Sequence, residues 1–167
     1  DFFGTEAINA TEFNARVTKM NYRYPTGILQ GQLNLLDSHD VARFLGLCGG
    51  DYDRWQAAFL YLCMAPGVPS VFYGDEKKVT GIRETEYRQG MPWDENHADS
   101  EDFVKTVLRI RRDWIAPADE WRAVYGGHDD RLVVFERYGA HTVRVIIHMG
   151  EAPADAERFM NGGQLLL

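Results

Sequence analysis

The pattern of hydrophobic positions changes character in the last third of the chain. Up to that point, short apolar runs alternate with longer segments of helical periodicity, whereas β-branched residues dominate afterwards. The pattern predicts helices over 11–25, 51–65 and 99–114, and strands buried on both faces over 31–38 and 69–74. It also predicts a hairpin over 131–139 and 141–150 and the start of another at 158–167.

This change predicts two domains, an α/β unit over 1–118 and the start of an all-β unit over 119–167. With two strand–helix repeats, a parallel sheet has only two strands, and their outer edges have no neighbouring strand. Such unpaired edges tend to pair with strands of other chains. The α/β part is therefore predicted to be the end of a larger unit. We expect a homodimer through the exposed edges, strand swapping or rearranged edges in this chain.

Composition and charge narrow the class of partner. The chain is 45% hydrophobic and has a net charge of −7 with scattered cations, so a nucleic-acid partner is not expected. No apolar run approaches the ~20 residues that span a bilayer, and no export signal is visible, which predicts a cytoplasmic protein without membrane contact. Cys48 and Cys63 lie in no metal-ligand spacing and are predicted to be free and buried.

Polar side chains follow both predicted strands. Ser38, His39 and Asp40 come just after the first strand, and the long polar segment 75–98 follows the second. Since carboxyl ends of parallel strands share one edge, these segments are expected to line one site. Composition and spacing alone favour a helix cap over a catalytic role for the Ser38–His39–Asp40 cluster. They favour a solvated, charge-rich loop over a functional one for the segment 75–98.

Two further acidic clusters have simpler interpretations. Asp51 and Asp53 resemble half of a calcium loop, but the later ligands are missing and a helix start is the better interpretation. The segment "GGHDD" at 126–130 is interpreted as a turn before the hairpin.

Several segments together resemble one enzyme family. "LNLLDSHDVARFL" resembles the seventh-strand motif of the α-amylase family of glycoside hydrolases, and "APGVPSVFYGDE" resembles its eighth-strand segment. "GMPWDE" and "DDRLVVFERYGAHTVRVIIH" are similar to the segment after that strand and to the β domain that follows. The residues "LLDSHD…RFL" are similar to the corresponding sequence in the neopullulanase and cyclomaltodextrinase branch of the family.

The resemblance implies a fold that is α/β followed by all-β. The chain would be the C-terminal portion of a (β/α)8 TIM barrel, with strands 7 and 8 and their helices, plus part of an antiparallel β domain. The implied activity is that of a retaining glycoside hydrolase on α-glucans such as maltodextrin, cyclodextrin, pullulan or starch.

The resemblance also implies site residues. Asp40 matches the family's third invariant carboxylate, the transition-state stabiliser, and His39 matches the histidine that hydrogen-bonds the same sugar. Glu84 and Arg88 match an Asp-Pro-x-x-Arg segment that forms substrate subsites, although this chain has Thr85 in place of the proline. Tyr87 is a candidate platform for sugar stacking.

The other catalytic groups are not expected in this chain. In the family, the nucleophile and general acid stand on earlier strands, so Asp37, Asp75 and Glu76 are not assigned those roles and the isolated chain is expected to be inactive. The resemblance implies no metal ligand or cofactor here, and leaves open calcium elsewhere in the parent. Two alternatives are a non-catalytic scaffold, disfavoured by the presence of His39 and Asp40, and a glucanotransferase.

Overall fold

Helices surround two small sheets in the computed structural model, which describes residues 1–126, 131–151, 155–160 and 162–167. The described helices are α1 (Ala10–Asn21), α2 (Thr26–Gln30), α3 (Phe44–Leu47), α4 (Tyr52–Met64), α5 (Glu84–Tyr87) and α6 (Ala98–Trp114). The strands are β1 (Leu33–Leu35), β2 (Val68–Ser70), β3 (Glu120–Gly126), β4 (Leu132–Tyr138) and β5 (Thr142–His148). Short 3₁₀ turns lie at Asp75–Lys77 and Glu157–Phe159.

The first sheet is the predicted strand–helix–strand unit. β1 and β2 pair in parallel, with Leu33 opposite Val68, and α4 lies between them in the chain. Both strands are shorter than predicted, and their predicted burial on both faces is wrong. Leu33 and Leu35 are 64% and 46% exposed, because alternate residues share a face that nothing in the described residues covers.

Helix α4 is the centre of the core. Asp51 caps it by accepting a hydrogen bond from the Arg54 amide at 3.2 Å, which is the helix start predicted for this acidic cluster. Trp55 and Phe59, four residues apart on one face, are buried and stack with ring centroids 4.9 Å apart. The hydrophobic cluster around them includes residues from the α/β part and from both β4 and β5.

Both cysteines are free and buried, as predicted. Burial raises the pKa of the Cys48 thiol to about 11 and that of Cys63 to about 12. At neutral pH both are therefore thiols packed in the core and are weak nucleophiles.

The second sheet is antiparallel, in the order β3–β4–β5. It confirms the predicted hairpin and adds β3, which the sequence pattern missed. β4 is the middle strand and is buried along most of its length. The second hairpin predicted at 158–167 is wrong for the described residues, which form no strand there, and the turn predicted at 126–130 lies mostly outside the described residues.

The half-buried Arg111 and the buried Arg137 join α6 and β4 to the end of α4. The guanidinium of Arg111 donates hydrogen bonds of 2.7–3.0 Å to the carbonyls of Cys63, Ala65 and Gly67. That of Arg137 donates bonds of 2.9–3.1 Å to the carbonyls of Met64, Ala65 and Asp119. Since the last carbonyls of a helix lack partners within it, these cations satisfy the end of α4 just before the chain enters β2.

The turn between α4 and β2 needs glycine at one position. Gly67 has a φ of +100°, and a Cβ there would lie 2.6 Å from the carbonyl oxygen of Gln32. The start of β2 can therefore approach β1 only with hydrogen at this position. Within the described part of the chain, no helix has the length and apolar character needed to cross a membrane.

Candidate functional site

The Ser38–His39–Asp40 cluster forms a tight turn just beyond β1. Ser38 Oγ accepts a hydrogen bond from the Asp40 amide at 3.2 Å, and Ser38 also bridges to Val41. The next helix, α3, begins at Phe44, and its first amide donates to Asp37 Oδ2 at 2.7 Å. The helix-cap interpretation of the cluster is therefore wrong, because the Asp37 side chain, and not Ser38, His39 or Asp40, accepts the first amide of α3.

The His39 and Asp40 side chains face solvent. They are 70% and 67% exposed, and His39 Nε2 lies 3.3 Å from Asp40 Oδ2. An ionised carboxylate and an imidazole in this position can accept and donate hydrogen bonds to a hydroxylated ligand. The turn therefore presents both groups without any rearrangement of the backbone.

Arg88 joins the remaining predicted site residues to this turn. Its Nε donates to the His39 carbonyl at 2.7 Å, and its Nη2 lies 3.4 Å from Asp40 Oδ1. Its Nη1 lies 2.9 Å from Oε1 of Glu84, which is the first residue of α5 and stands one helical turn before Arg88. All four residues predicted to bind substrate are thus linked through Arg88 by hydrogen bonds and ion pairs, although Arg88 lies 48 positions after Asp40.

The segment 75–98 has regular turns and specific hydrogen bonds rather than being a plain solvated loop. It contains a 3₁₀ turn and α5, and Tyr73 Oη donates to the Gln89 carbonyl at 2.7 Å. Gln89 in turn donates to the Thr80 carbonyl at 2.7 Å. Tyr87 is 9% exposed, so its predicted role as a stacking platform is wrong: the ring is packed inside the loop.

A buried arginine lies beneath the turn, and the sequence analysis did not identify it. Arg43 has no exposed surface, and its guanidinium packs on the rings of Phe72 and Tyr73 at 4.1 and 4.7 Å from their centroids. Its Nε donates to the Tyr87 carbonyl at 3.0 Å and its Nη1 to the Tyr73 carbonyl at 2.6 Å. It therefore connects the first motif to the loop that carries Arg88.

Two carboxyl groups are buried next to this arginine. Asp37 and Asp75 are 3% and 5% exposed, and Asp75 Oδ1 lies 3.6 Å from Arg43 Nη1. Burial, together with the neighbouring charge of Asp37, raises the pKa of Asp75 to about 8. Burial also raises the pKa of Asp37. The only signal in the sequence was that each acid directly follows a short apolar run.

The described residues offer exposed hydrogen-bonding groups rather than a metal centre. No group of three or more His, Cys, Asp or Glu side chains in the described ranges could hold a metal ion. Glu76, one of the carboxyls excluded from catalysis, accepts the Gly74 amide at 3.0 Å and so stabilises the turn after β2. The exposed group of Asp40, His39 and Arg88 is suited to binding a polyhydroxylated molecule.

Known proteins similar to this chain act on related sugars according to their names. The cyclomaltodextrinase of Geobacillus thermopakistaniensis is 32% identical over 92% of this chain, and Neopullulanase 2 of Thermoactinomyces vulgaris is 38% identical over 66% of it. A solved structure of the cyclic α-maltosyl-(1→6)-maltose hydrolase of Arthrobacter globiformis, in complex with that sugar, superposes with a TM-score of 0.81. It is 29% identical over 89% of this chain.

These matches cover only part of each relative. The chain spans 27% and 19% of the two curated relatives and 34% of the solved hydrolase, which is a TIM-barrel enzyme. The family description "Alpha amylase, catalytic domain" matches residues 5–144. The chain therefore belongs to the α-amylase family, as part of its catalytic domain.

Proposed function

We propose that this chain is the C-terminal part of a retaining glycoside hydrolase that acts on α-glucans. In this proposal, β1 and β2 are strands seven and eight of a (β/α)8 barrel, and the β domain begins at residue 119. The observation that carries the proposal is the contact of Arg88 with both His39 and Asp40 at the carboxyl ends of two parallel strands. Active sites of such barrels lie at that end.

Asp40 is proposed as the transition-state stabiliser. Its carboxylate is exposed, and Arg88 holds it at 3.4 Å while leaving Oδ2 beside His39. Hydrogen bonds from sugar hydroxyls to this carboxylate would strengthen as the ring flattens toward an oxocarbenium ion. His39 would bind a hydroxyl of the same sugar.

Glu84 and Arg88 are proposed to shape an adjacent substrate subsite. Glu84 is exposed, and its ion pair with Arg88 at 2.9 Å fixes the guanidinium between the two carboxylates. Arg88 has planar, forked donors, so a ligand hydroxyl can bind to it without displacing either acid. The name of the Arthrobacter hydrolase, whose structure contains a maltose-based ring, supports an α-glucan as the ligand class.

The nucleophile and general acid are proposed to lie outside this chain. Retaining glycosidases need two carboxyls about 5 Å apart at the scissile bond. Asp37 and Asp75 are an acidic pair, but they are 3% and 5% exposed beneath the turn and a sugar cannot reach them.

The purified 167-residue chain is therefore expected to release no reducing sugar from maltodextrin. The measurement is a reducing-end assay over a long incubation, with the full-length protein that carries this chain as the positive control. Sugar release by the 167-residue chain at a rate above the buffer background would contradict the proposal.

The open strands are proposed to pair with a second copy of this chain. Leu33, Leu35 and Val68 are 46–64% exposed and belong to the two parallel strands. Exposed apolar residues on strands with unpaired edges favour association with another protein surface. Sedimentation velocity of the isolated chain is expected to give a dimer, and a monomer across the accessible concentration range would contradict this.

A further inference from the structure

The buried group of Asp37, Asp75 and Arg43 lies directly under the exposed sugar-binding residues, and no catalytic role explains it. The three side chains are 3%, 5% and 0% exposed. Burying two acids and one cation is costly unless their charges and hydrogen bonds are satisfied.

The buried group is connected both to the turn that carries Asp40 and to the segment that carries Arg88. Asp37 begins the turn that carries His39 and Asp40, and its Oδ2 accepts the amide of Phe44, where the turn ends. Arg43 donates to the carbonyl of Tyr87, the residue immediately before Arg88. The buried group thus fixes both the turn and the segment that holds Arg88 against it.

The two buried acids are accommodated best with one proton between them. Among the groups in the described residues, no N–H or hydroxyl donor reaches the buried Asp37 Oδ1, and the Asp75 carboxyl is close enough to Asp37 for each acid to affect the pKa of the other. A carboxylate only accepts hydrogen bonds, so one acid must be protonated to donate. A neutral Asp75 that donates to an ionised Asp37 leaves one negative charge to balance Arg43.

We propose that Asp37, Asp75 and Arg43 form a positioning unit with one shared proton, which holds Asp40 and Arg88 in their sugar-binding arrangement. The sugar-binding part of this statement rests on the proposed function; the mechanical coupling does not. The unit touches no ligand itself and acts through the turn and through the Tyr87 carbonyl.

Loss of the shared proton is expected to weaken the contacts that hold Asp40 and Arg88 in place. The charged groups that face Asp75 are Asp37 and Arg43. Tyr73 and Tyr87 each contribute a backbone carbonyl to Arg43, and the Tyr73 ring also packs on its guanidinium. A second buried negative charge would repel Asp37 and compete with those carbonyls for the guanidinium. The folded chain keeps the proton up to about pH 8, whereas the ordinary value is 3.8, so the free energy of unfolding falls as pH rises across that interval and levels off above it.

The test is an NMR titration of the ¹³C-labelled chain from about pH 3 to 10, a range that covers both the ordinary pKa of an aspartate and a value near 8. The carboxyl carbon of Asp75 is expected to titrate near pH 8. The ring Hε1 of His39 is expected to show an inflection at the same midpoint, because the buried group holds the turn that carries His39. His148, on β5, serves as the internal control and should show no such inflection.

Asp75→Asn provides the decisive comparison, because an amide keeps the donor while removing the titration. In this variant the His39 inflection near pH 8 should disappear. Asp94→Asn, an exposed carboxyl in the same loop, should behave like the natural chain. If Asp75→Asn does not fold, Asp37→Asn removes the neighbouring negative charge, so the pKa of Asp75 should fall and the His39 inflection should move away from pH 8 with it.

Two results would overturn the proposal. Titration of Asp75 near its ordinary value of 3.8 would show that no proton is shared. Titration of Asp75 without a response at His39 would leave the unit a purely structural role. Because no glucan takes part, neither result depends on whether the protein is a glycosidase.

Discussion

Replacing Arg137 with alanine is expected to lower the free energy of unfolding by roughly 2–4 kcal/mol. The guanidinium binds three carbonyls, and among the donors of the described residues Arg111 still reaches that of Ala65, at 2.8 Å. The Met64 and Asp119 carbonyls would lose these hydrogen bonds, each at a cost of about 1–3 kcal/mol when buried. Burial lowers the pKa of Arg137 to about 10, which indicates that its buried charge is unfavourable. Removing that charge therefore offsets part of the stability lost with the hydrogen bonds.

Urea unfolding of the isolated chain at pH 7, followed by circular dichroism, measures this difference. Arg109→Ala is the matched control, because Arg109 lies exposed on α6 and its removal should change stability by less than about 0.5 kcal/mol. A loss below about 1 kcal/mol for Arg137→Ala would show that water replaces the guanidinium at the end of α4.

The elements with strong periodicity were predictable from sequence, whereas the short ones were not. α4 and α6 are close to their predicted bounds because each has a long apolar face and an acidic first turn. The four- and five-residue helices α2, α3 and α5 were missed, since one turn of helix leaves no periodic signal and depends on tertiary contacts. β3 was missed because its polar–apolar alternation is short and a register shift between Ala123 and Tyr125 interrupts the pairing.

The exposed half of the site was predictable only through the resemblance to a family. The position of Asp40 past a strand was visible in the pattern, but its contact with Arg88 joins segments 48 residues apart. The buried half gave no such signal. Arg43, Asp37 and Asp75 are charged residues, which are rarely buried, and their mutual compensation appears only when the three are brought together.

In the full-length protein that carries this chain, Asp40→Asn is expected to lower kcat on maltodextrin by a factor on the order of 10² or more. The substitution keeps the size of the side chain but removes the charge that strengthens its hydrogen bonds with sugar hydroxyls. Such bonds contribute several kcal/mol in the transition state, and about 1.4 kcal/mol corresponds to a factor of ten in rate. KM should change much less, because ground-state binding is shared among many subsite contacts.

The fold should tolerate this substitution. The Asp40 side chain is 67% exposed and its contact with Arg88 is long, at 3.4 Å, so the variant should unfold at the same urea concentration as the natural protein. Asp53→Asn is the matched control, an exposed carboxylate in the first turn of α4, away from the site residues in the chain. Its turnover should equal that of the natural protein.

The most direct test of the central claim, that Asp40 stabilises the transition state of α-glucan hydrolysis, is the kcat of these variants at saturating maltodextrin. We predict a loss on the order of 10²-fold or more for Asp40→Asn with kcat unchanged for Asp53→Asn. Turnover by Asp40→Asn within about twofold of the natural protein would contradict the account, since a factor of two corresponds to only about 0.4 kcal/mol.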